Sequence, residues 1–416
     1  MSAFSSGRCR VFNLSPAADV RSTADCLRKA GLRIGKDWTA QASLAGATGT
    51  ESGPSFEIES HGIDSLTAPT AILDAGNSGT TMRLLSGLMA GRPFSCRFDG
   101  DASLRKRTMK RIFDPLRQMG ATIISENEPY APFSIEGGNL KGQEFQLTVA
   151  SAQVEACLLL AGLQADGVTS VSTSGGVRDH TRRMFEHLKV PFSIDKNGSL
   201  SVSRLADPLN AFDLTVPADI SSAAFFMVAA ACAPGSELLL EATGINPGRT
   251  LVIDVLKSMG AHIEIGNERD VSGEPIADIL VKNSGPLNGC TISGDVVASG
   301  IDELPVLALA GCVCEGEFSV SGASELRHKE SDRITAIVSN LARAGVDVEE
   351  REDGFVIRGK RSIPGASDWL THGDHRLAMT GLVASLIFEQ PLKLDSKDSI
   401  AVSYPGFEED LKTLLR

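Results

Sequence analysis

The sequence predicts an α/β protein in which one small unit recurs along two halves of similar length. Two observations carry this. A short pattern keeps returning, a helix end followed by a glycine and then a β-like segment. No strand-to-helix turn carries the spaced glycines of a dinucleotide-binding fold, so sheets and helices are expected to group around shared cores instead.

In chain order the pattern reads Leu27-Arg-Lys-Ala-Gly31-Leu-Arg-Ile34, then Leu116-Arg-Gln-Met-Gly120-Ala-Thr-Ile123. A degenerate copy, Phe185-Glu-His-Leu-Lys189-Val-Pro-Phe192, has Lys189 in the glycine place. Leu256-Lys-Ser-Met-Gly260-Ala-His-Ile263 and Leu341-Ala-Arg-Ala-Gly345-Val-Asp-Val348 follow. Each glycine stands where a helix takes a left-handed residue just past its end. The alternation after it, as in Ala261-His-Ile-Glu-Ile265, reads as a half-buried strand. Intervals of roughly 70–90 residues make each copy larger than a solenoid repeat. The best boundary lies near Thr215-Val-Pro-Ala-Asp219, where a strand ends and the apolar helix from Ile220 begins, which gives halves 1–216 and 217–416. With no low-complexity linker between them, they are expected to share an interface and a ligand-binding cleft.

Composition excludes several classes of function. The chain has 416 residues, 42% hydrophobic, and a net charge of −12, which argues against nucleic acid or anionic membrane as a partner. No apolar run approaches the roughly 18 residues of a membrane span, and residues 1–30 are too polar for a signal peptide. Eight scattered cysteines, with no Cys-x-x-Cys pair, fit a reduced cytoplasmic protein. The seven histidines show no metal-ligand spacing, so no metal is expected. Any anionic substrate must be held by local clusters of Arg and Lys.

Such clusters stand at helix starts. Gly76-Asn-Ser-Gly79-Thr80 opens into a helix with Met82, Leu85 and Leu88, a seat for an anion at unpaired helix N–H groups. Read alone, the same turn is an ordinary helix cap. Gly100-Asp101-Ala-Ser-Leu-Arg105-Lys106-Arg107 places three cations just after a β-like segment. Ser151-Ala152-Gln153 and Arg178-Asp179-His180-Thr181 open two further helical runs. His328-Lys329-Glu330-Ser331-Asp332-Arg333 precedes the face Ile334, Ile337, Val338, Leu341. A cation there opposes the helix macrodipole unless an anion joins it. Gly373-Asp374-His375-Arg376 repeats the anomaly before an all-apolar, hence buried, helix. Arg376 could pair with Asp374 or another carboxylate rather than a ligand. Asp302 and Glu303 interrupt an apolar stretch, with Asp302 either a helix cap or a proton acceptor for an alcohol. Glu330, between Lys329 and Arg333, could move a proton.

In this order these motifs, with the tail Ser403-Tyr-Pro-Gly-Phe407, resemble the 5-enolpyruvylshikimate-3-phosphate synthase family over essentially the whole chain. The resemblance implies the two-domain enolpyruvyl transferase fold, an inverse α/β barrel type with βαβαββ units repeated three times per domain. It implies transfer of the enolpyruvyl group of phosphoenolpyruvate to the 5-hydroxyl of shikimate 3-phosphate, with phosphate release, in chorismate and aromatic amino acid biosynthesis. No cofactor is implied, and a cytoplasmic monomer is expected. By motif, Asp302 would accept the hydroxyl proton, Glu330 would serve the methylene carbon, and Lys329 would assist both the chemistry and shikimate 3-phosphate binding. Gly79, Arg107, Gln153, Arg333 and Arg376 would bind phosphoenolpyruvate, the two last gripping its carboxylate. Ser151, Ala152, Gln153, Arg178 and Asp302 would contact shikimate 3-phosphate.

The chain also departs from the family's pattern. The family opens on Pro-Gly-Asp-Lys-Ser-x-Ser-His-Arg, which is not found here, and Met1–Gly7 resembles the end of the helix that follows it. Low turnover and an unpaired sheet edge are the expected consequences. Thr108, Val177, Ala218 and Val402 are smaller departures. Two other readings remain: a related transferase acting on a UDP-sugar, and an inactive paralogue that binds anionic metabolites.

Overall fold

The computed structural model describes residues 1–35, 55–173 and 178–414. They form two compact units that divide between Val216 and Pro217. The helices of the first unit are α1 (Ala18–Lys29), α2 (Gly79–Ala90), α3 (Lys110–Met119), α4 (Ala152–Gly162) and α5 (His180–His187). Those of the second are α6 (Ile220–Cys232), α7 (Leu251–Ser258), α8 (Leu304–Val313), α9 (Arg333–Arg343), α10 (His375–Ile387) and α11 (Phe407–Leu414).

The repeated unit is visible in the sheets. Strand Leu73–Asp74, α2, strand Ser95–Asp99, α3 and then strands Thr122–Ser125 and Phe133–Glu136 make one βαβαββ copy. Its first two strands pair in parallel, and the last two add antiparallel partners. The same parallel, antiparallel, antiparallel order recurs with α4 and α5, and again with α8 and α9. Around α6 and α7 the parallel partner shrinks to a bridge between Ala218 and Thr243. Among the described residues the third sheet of the second unit is a two-stranded pair, Asp368–Trp369 with Lys393–Leu394.

The residues past the helix ends behave as the repeat requires. Gly31, Gly120, Gly260 and Gly345 have φ of 101°, 110°, 96° and 91°, and Lys189 in the degenerate copy takes φ 55°. A left-handed lysine carries steric strain that glycine escapes. The start of the chain corrects one expectation. Residues 1–7 do not close an α-helix; Ser2–Phe4 is a 3-10 turn, and Ser5–Phe12 is a strand. That strand takes Leu209–Asn210 and Asp213–Thr215 as parallel partners on one side and Ser55–His61 on the other. Alternate residues Cys9 and Val11 are buried there, so pairing and side-chain burial outweigh the helical reading.

Each unit has its own apolar core, and each contains central helices apolar on every side. In the second unit α6, α8 and α10 are of this kind and pack on one another. In the first unit α2 and α4 lie so close that a Cβ on Gly87 would sit 2.0 Å from the Cys157 carbonyl oxygen. Only glycine permits that approach. Among the described residues no single helix is long and apolar enough to cross a membrane.

Candidate active site

In the first unit the close packing of α2 and α4 brings two helix starts together. Ser78 caps α2 through the Thr81 N–H (3.1 Å), and Ser151 caps α4 through the Val154 N–H (3.4 Å). Gln153, on the first turn of α4, donates to the Thr80 hydroxyl at 2.8 Å and accepts from Arg83 Nη1 at 2.5 Å. A Cβ built on Gly79 would lie 3.0 Å from Arg83 Nη1 and 3.3 Å from Arg107 Nη1. Gly79, Arg107 and Gln153 therefore gather at one place, with Ser151 and Ala152 adjoining. Arg107 is aimed there by its loop. Asp101 accepts from the Ser103 and Leu104 N–H groups, and neighbouring Arg105 turns away to Asp99 at 2.8 Å. Arg178 stands at the entry to α5. Val177 lies outside the described residues.

Sequence reasoning passed over Arg83 as a site residue. Its signal was available, because it lies four places after Gly79 and so on the same helix face. With Arg107 it gives this corner two guanidinium groups beside two helix N-termini, an arrangement suited to phosphate.

In the second unit the motif residues meet around Arg333. Its side chain is 1% exposed, at the first position of α9. Nε donates to Asp374 Oδ2 (2.7 Å), Nη2 to Glu330 Oε2 (2.6 Å) and Asp374 Oδ1 (3.2 Å), and Nη1 to Asp302 Oδ1 (3.2 Å). Burial works against that charge, but Asp374, Glu330 and Asp302 together raise the Arg333 pKa above the ordinary arginine value. Asp374 is 0% exposed; burial opposes its ionisation, yet Arg333 holds its pKa below the usual carboxylate range. Lys329 Nζ reaches Asp302 Oδ1 at 3.1 Å.

The geometry bears on two of the open alternatives. Glu303, not Asp302, holds the cap position of α8, and the Asp302 carboxylate faces Lys329 and Arg333. Asp374 gives its carboxylate to the Arg333 guanidinium and only an N–H acceptor, at 2.9 Å, to Arg376. The Arg376 guanidinium instead uses Nη1, donating to the Asp302 carbonyl at 2.9 Å and standing 3.5 Å from Glu303 Oε1. Its side chain is 15% exposed. Burial, then neighbouring Arg376, pushes the His375 imidazole down to about 4, so it is neutral at physiological pH.

Arg333 has five N–H groups, four of them used in these bonds. One remains, which suits a single bond to a ligand and not a two-pronged grip. Arg376 keeps its Nε–Nη2 edge outside the bonds described. Two surface grooves, about 480 Å³ beside Arg269 and Asp278 and about 600 Å³ beside Lys141 and Arg204, are lined by none of the candidate residues. Among the described residues no group of three or more His, Cys, Asp or Glu side chains could hold a metal ion.

Known proteins match this chain along its length. The family model described as EPSP synthase (3-phosphoshikimate 1-carboxyvinyltransferase) matches residues 1–411. The 3-phosphoshikimate 1-carboxyvinyltransferase of Bacillus subtilis is 41% identical over 413 residues, 99% of this chain and 92% of that protein. The Geobacillus kaustophilus protein of the same name is 44% identical over 421 residues, 100% of this chain and 93% of its own. The solved EPSP synthase of Acinetobacter baumannii superposes with a TM-score of 0.84 at 40% identity, covering 99% of this chain and 91% of that one. An enolpyruvyl transferase from Streptomyces tendae, 18% identical with a TM-score of 0.73, covering 99% of this chain and 90% of its own, shares the fold. With the repeated βαβαββ units, these matches establish that the chain belongs to the EPSP synthase family, transferases that move the enolpyruvyl group of phosphoenolpyruvate to shikimate 3-phosphate in aromatic amino acid biosynthesis.

Proposed function

We propose that this chain joins the enolpyruvyl carbon to the 5-hydroxyl of shikimate 3-phosphate through the residues gathered at its helix starts. The carrying observation is the convergence of Asp302, Lys329, Glu330, Arg333 and Arg376 in the second unit, where two acids are each held against a cation. Asp302 accepts the hydroxyl proton as the oxygen attacks C2 of phosphoenolpyruvate, and Lys329 steadies the carboxylate that does so. Glu330 delivers a proton to the methylene carbon to give a tetrahedral intermediate. It takes a proton back as the bond between C2 and the phosphate oxygen breaks. One C–O bond forms, one breaks, and the hydroxyl proton leaves with phosphate or solvent, so no redox partner or cofactor enters.

Arg376 offers its open edge to the phosphoenolpyruvate carboxylate, and Arg333 adds its one remaining N–H. Arg107, beside the cleared space at Gly79, takes the phosphate, and Gln153 bridges the two substrates. Ser151, the Ala152 N–H and Arg178 hold the shikimate phosphate. A reducing cytoplasm suits the eight unpaired cysteines, and the protein acts as a monomer on small-molecule substrates.

Glu330→Gln tests the assignment. The amide keeps an oxygen for Arg333 and loses the titratable proton. Both substrates should bind with unchanged affinity by calorimetry, while kcat falls by about 10²–10⁴. A near-normal kcat would remove Glu330 from the proton path.

A further inference from the structure

The segment Ile301-Asp302-Glu303-Leu304-Pro305 runs straight into the apolar helix α8, and Glu303 is 1% exposed. A carboxylate that deep needs partners. It has Arg376 Nη1 at 3.5 Å and the Ser221 hydroxyl, which donates to Oε1. Ser221 in turn accepts from Arg249 Nη2 at 2.5 Å, and Arg249 is paired with Asp219 at 2.8 Å. Asp219 caps α6 through the Ser222 N–H at 3.0 Å. This relay ties together the starts of α6, α8 and α10, the three apolar helices at the centre of the second unit.

We propose that Glu303 is a positioning residue for the transfer reaction: with the Asp302 carbonyl it anchors Nη1 of Arg376, so that the guanidinium presents its Nε–Nη2 edge to the phosphoenolpyruvate carboxylate before that substrate arrives. The inference rests on the reading of Arg376 as the carboxylate-binding arginine. A competing effect must be weighed, since a carboxylate beside Arg376 also offsets its charge toward a second carboxylate. Ordering prevails on two counts. Nη1 carries two N–H groups; one donates to the Asp302 carbonyl and Glu303 stands 3.5 Å from the same nitrogen, so the anchor takes nothing from the Nε–Nη2 edge that a substrate would use. A long arginine side chain left unanchored must also be ordered at the moment of binding, at a cost in affinity.

The test is Glu303→Gln in the full chain, with Arg376→Ala and the double variant beside it. Gln preserves volume and still accepts from Ser221. Expected are a rise in the phosphoenolpyruvate KM of about tenfold, with kcat held within about threefold. Shikimate 3-phosphate affinity, measured by calorimetry without phosphoenolpyruvate, should not move. In the Arg376→Ala background the Gln substitution should change KM by less than about twofold, because both residues act through one contact. An unchanged or lower KM in Glu303→Gln, or full multiplication of the two effects, overturns the proposal. If Arg376→Ala itself leaves phosphoenolpyruvate KM unchanged, the underlying reading of Arg376 fails, and the proposal with it. Should Glu303→Gln not fold, Ser221→Ala decides. It leaves the carboxylate in place and cuts the relay to Arg249, so KM should rise about twofold to threefold; no rise overturns the proposal.

Discussion

Replacing Asp374 with Asn keeps the shape of the side chain and an oxygen for the Arg376 N–H, and removes one buried charge. Asp374 receives Arg333 Nε at 2.7 Å, Arg333 Nη2 at 3.2 Å and Ser331 Oγ at 3.1 Å, with neither Asp374 nor Arg333 open to water. Breaking such a pair by removing one partner costs about 3–5 kcal/mol, because the remaining charge stays buried. Arg333 retains Glu330 at 2.6 Å and Asp302 at 3.2 Å, so the lower end, about 3 kcal/mol, applies. At about 2–4 °C per kcal/mol for a unit of this size, Tm should fall by about 6–12 °C. The acid limb should change as well. Asp374 has its native pKa below the unfolded 3.8, so its contribution is present above that pH and is lost as pH falls through the native value. Asp374→Asn should therefore destabilise at pH 7 and lose part of the acid sensitivity, both read by thermal scans from pH 7 downward. A Tm within about 2 °C of the parent at pH 7 would refute the claim that this pair organises the cluster.

Two further outcomes follow from the same geometry. Gly79→Ala should raise the phosphoenolpyruvate KM with little loss of Tm, since its Cβ meets only the flexible ends of Arg83 and Arg107, at 3.0 and 3.3 Å; an unchanged KM would take Gly79 out of the site. Glu155, on α4, is pushed up to about 7 from 4.5 by burial, then by Asp179. Native Glu155 thus holds its proton between pH 4.5 and about 7 where the unfolded chain has lost it, and stability falls as pH rises through that window. At about 1.4 kcal/mol per pH unit, this amounts to at most about 3.5 kcal/mol. Glu155→Gln should recover much of it at pH 8 and leave pH 4 stability unchanged, which denaturant titrations at the two values would check.

The repeats were legible in the sequence because their signals are local. A glycine two residues before a strand fixes a left-handed turn whatever surrounds it, and even Lys189, three residues before its strand, takes φ 55°. The candidate site residues were legible as types at helix starts for the same reason. Pairing was not. Arg333 and Asp374 are 41 positions apart, and no spacing rule says that Asp374 serves Arg333 and not its neighbour Arg376. Glu303 read as a companion of Asp302; only the packing of α6, α8 and α10 brings it to Ser221 and Arg376. That packing also changes which variant is informative. Arg333→Ala would take a buried cation from three carboxylates at once, so a changed KM there would mix folding with binding, whereas Arg376→Ala touches an arginine whose outer edge is open.

The most direct measurement incubates the protein with phosphoenolpyruvate and either shikimate 3-phosphate or a UDP-sugar, and follows both phosphate release and product mass. The proposed roles predict the enolpyruvyl ether of shikimate 3-phosphate, one phosphate released per ether formed, and no product from the UDP-sugar. Product from the UDP-sugar, or none from shikimate 3-phosphate with the protein stoichiometric with its substrates, would contradict them.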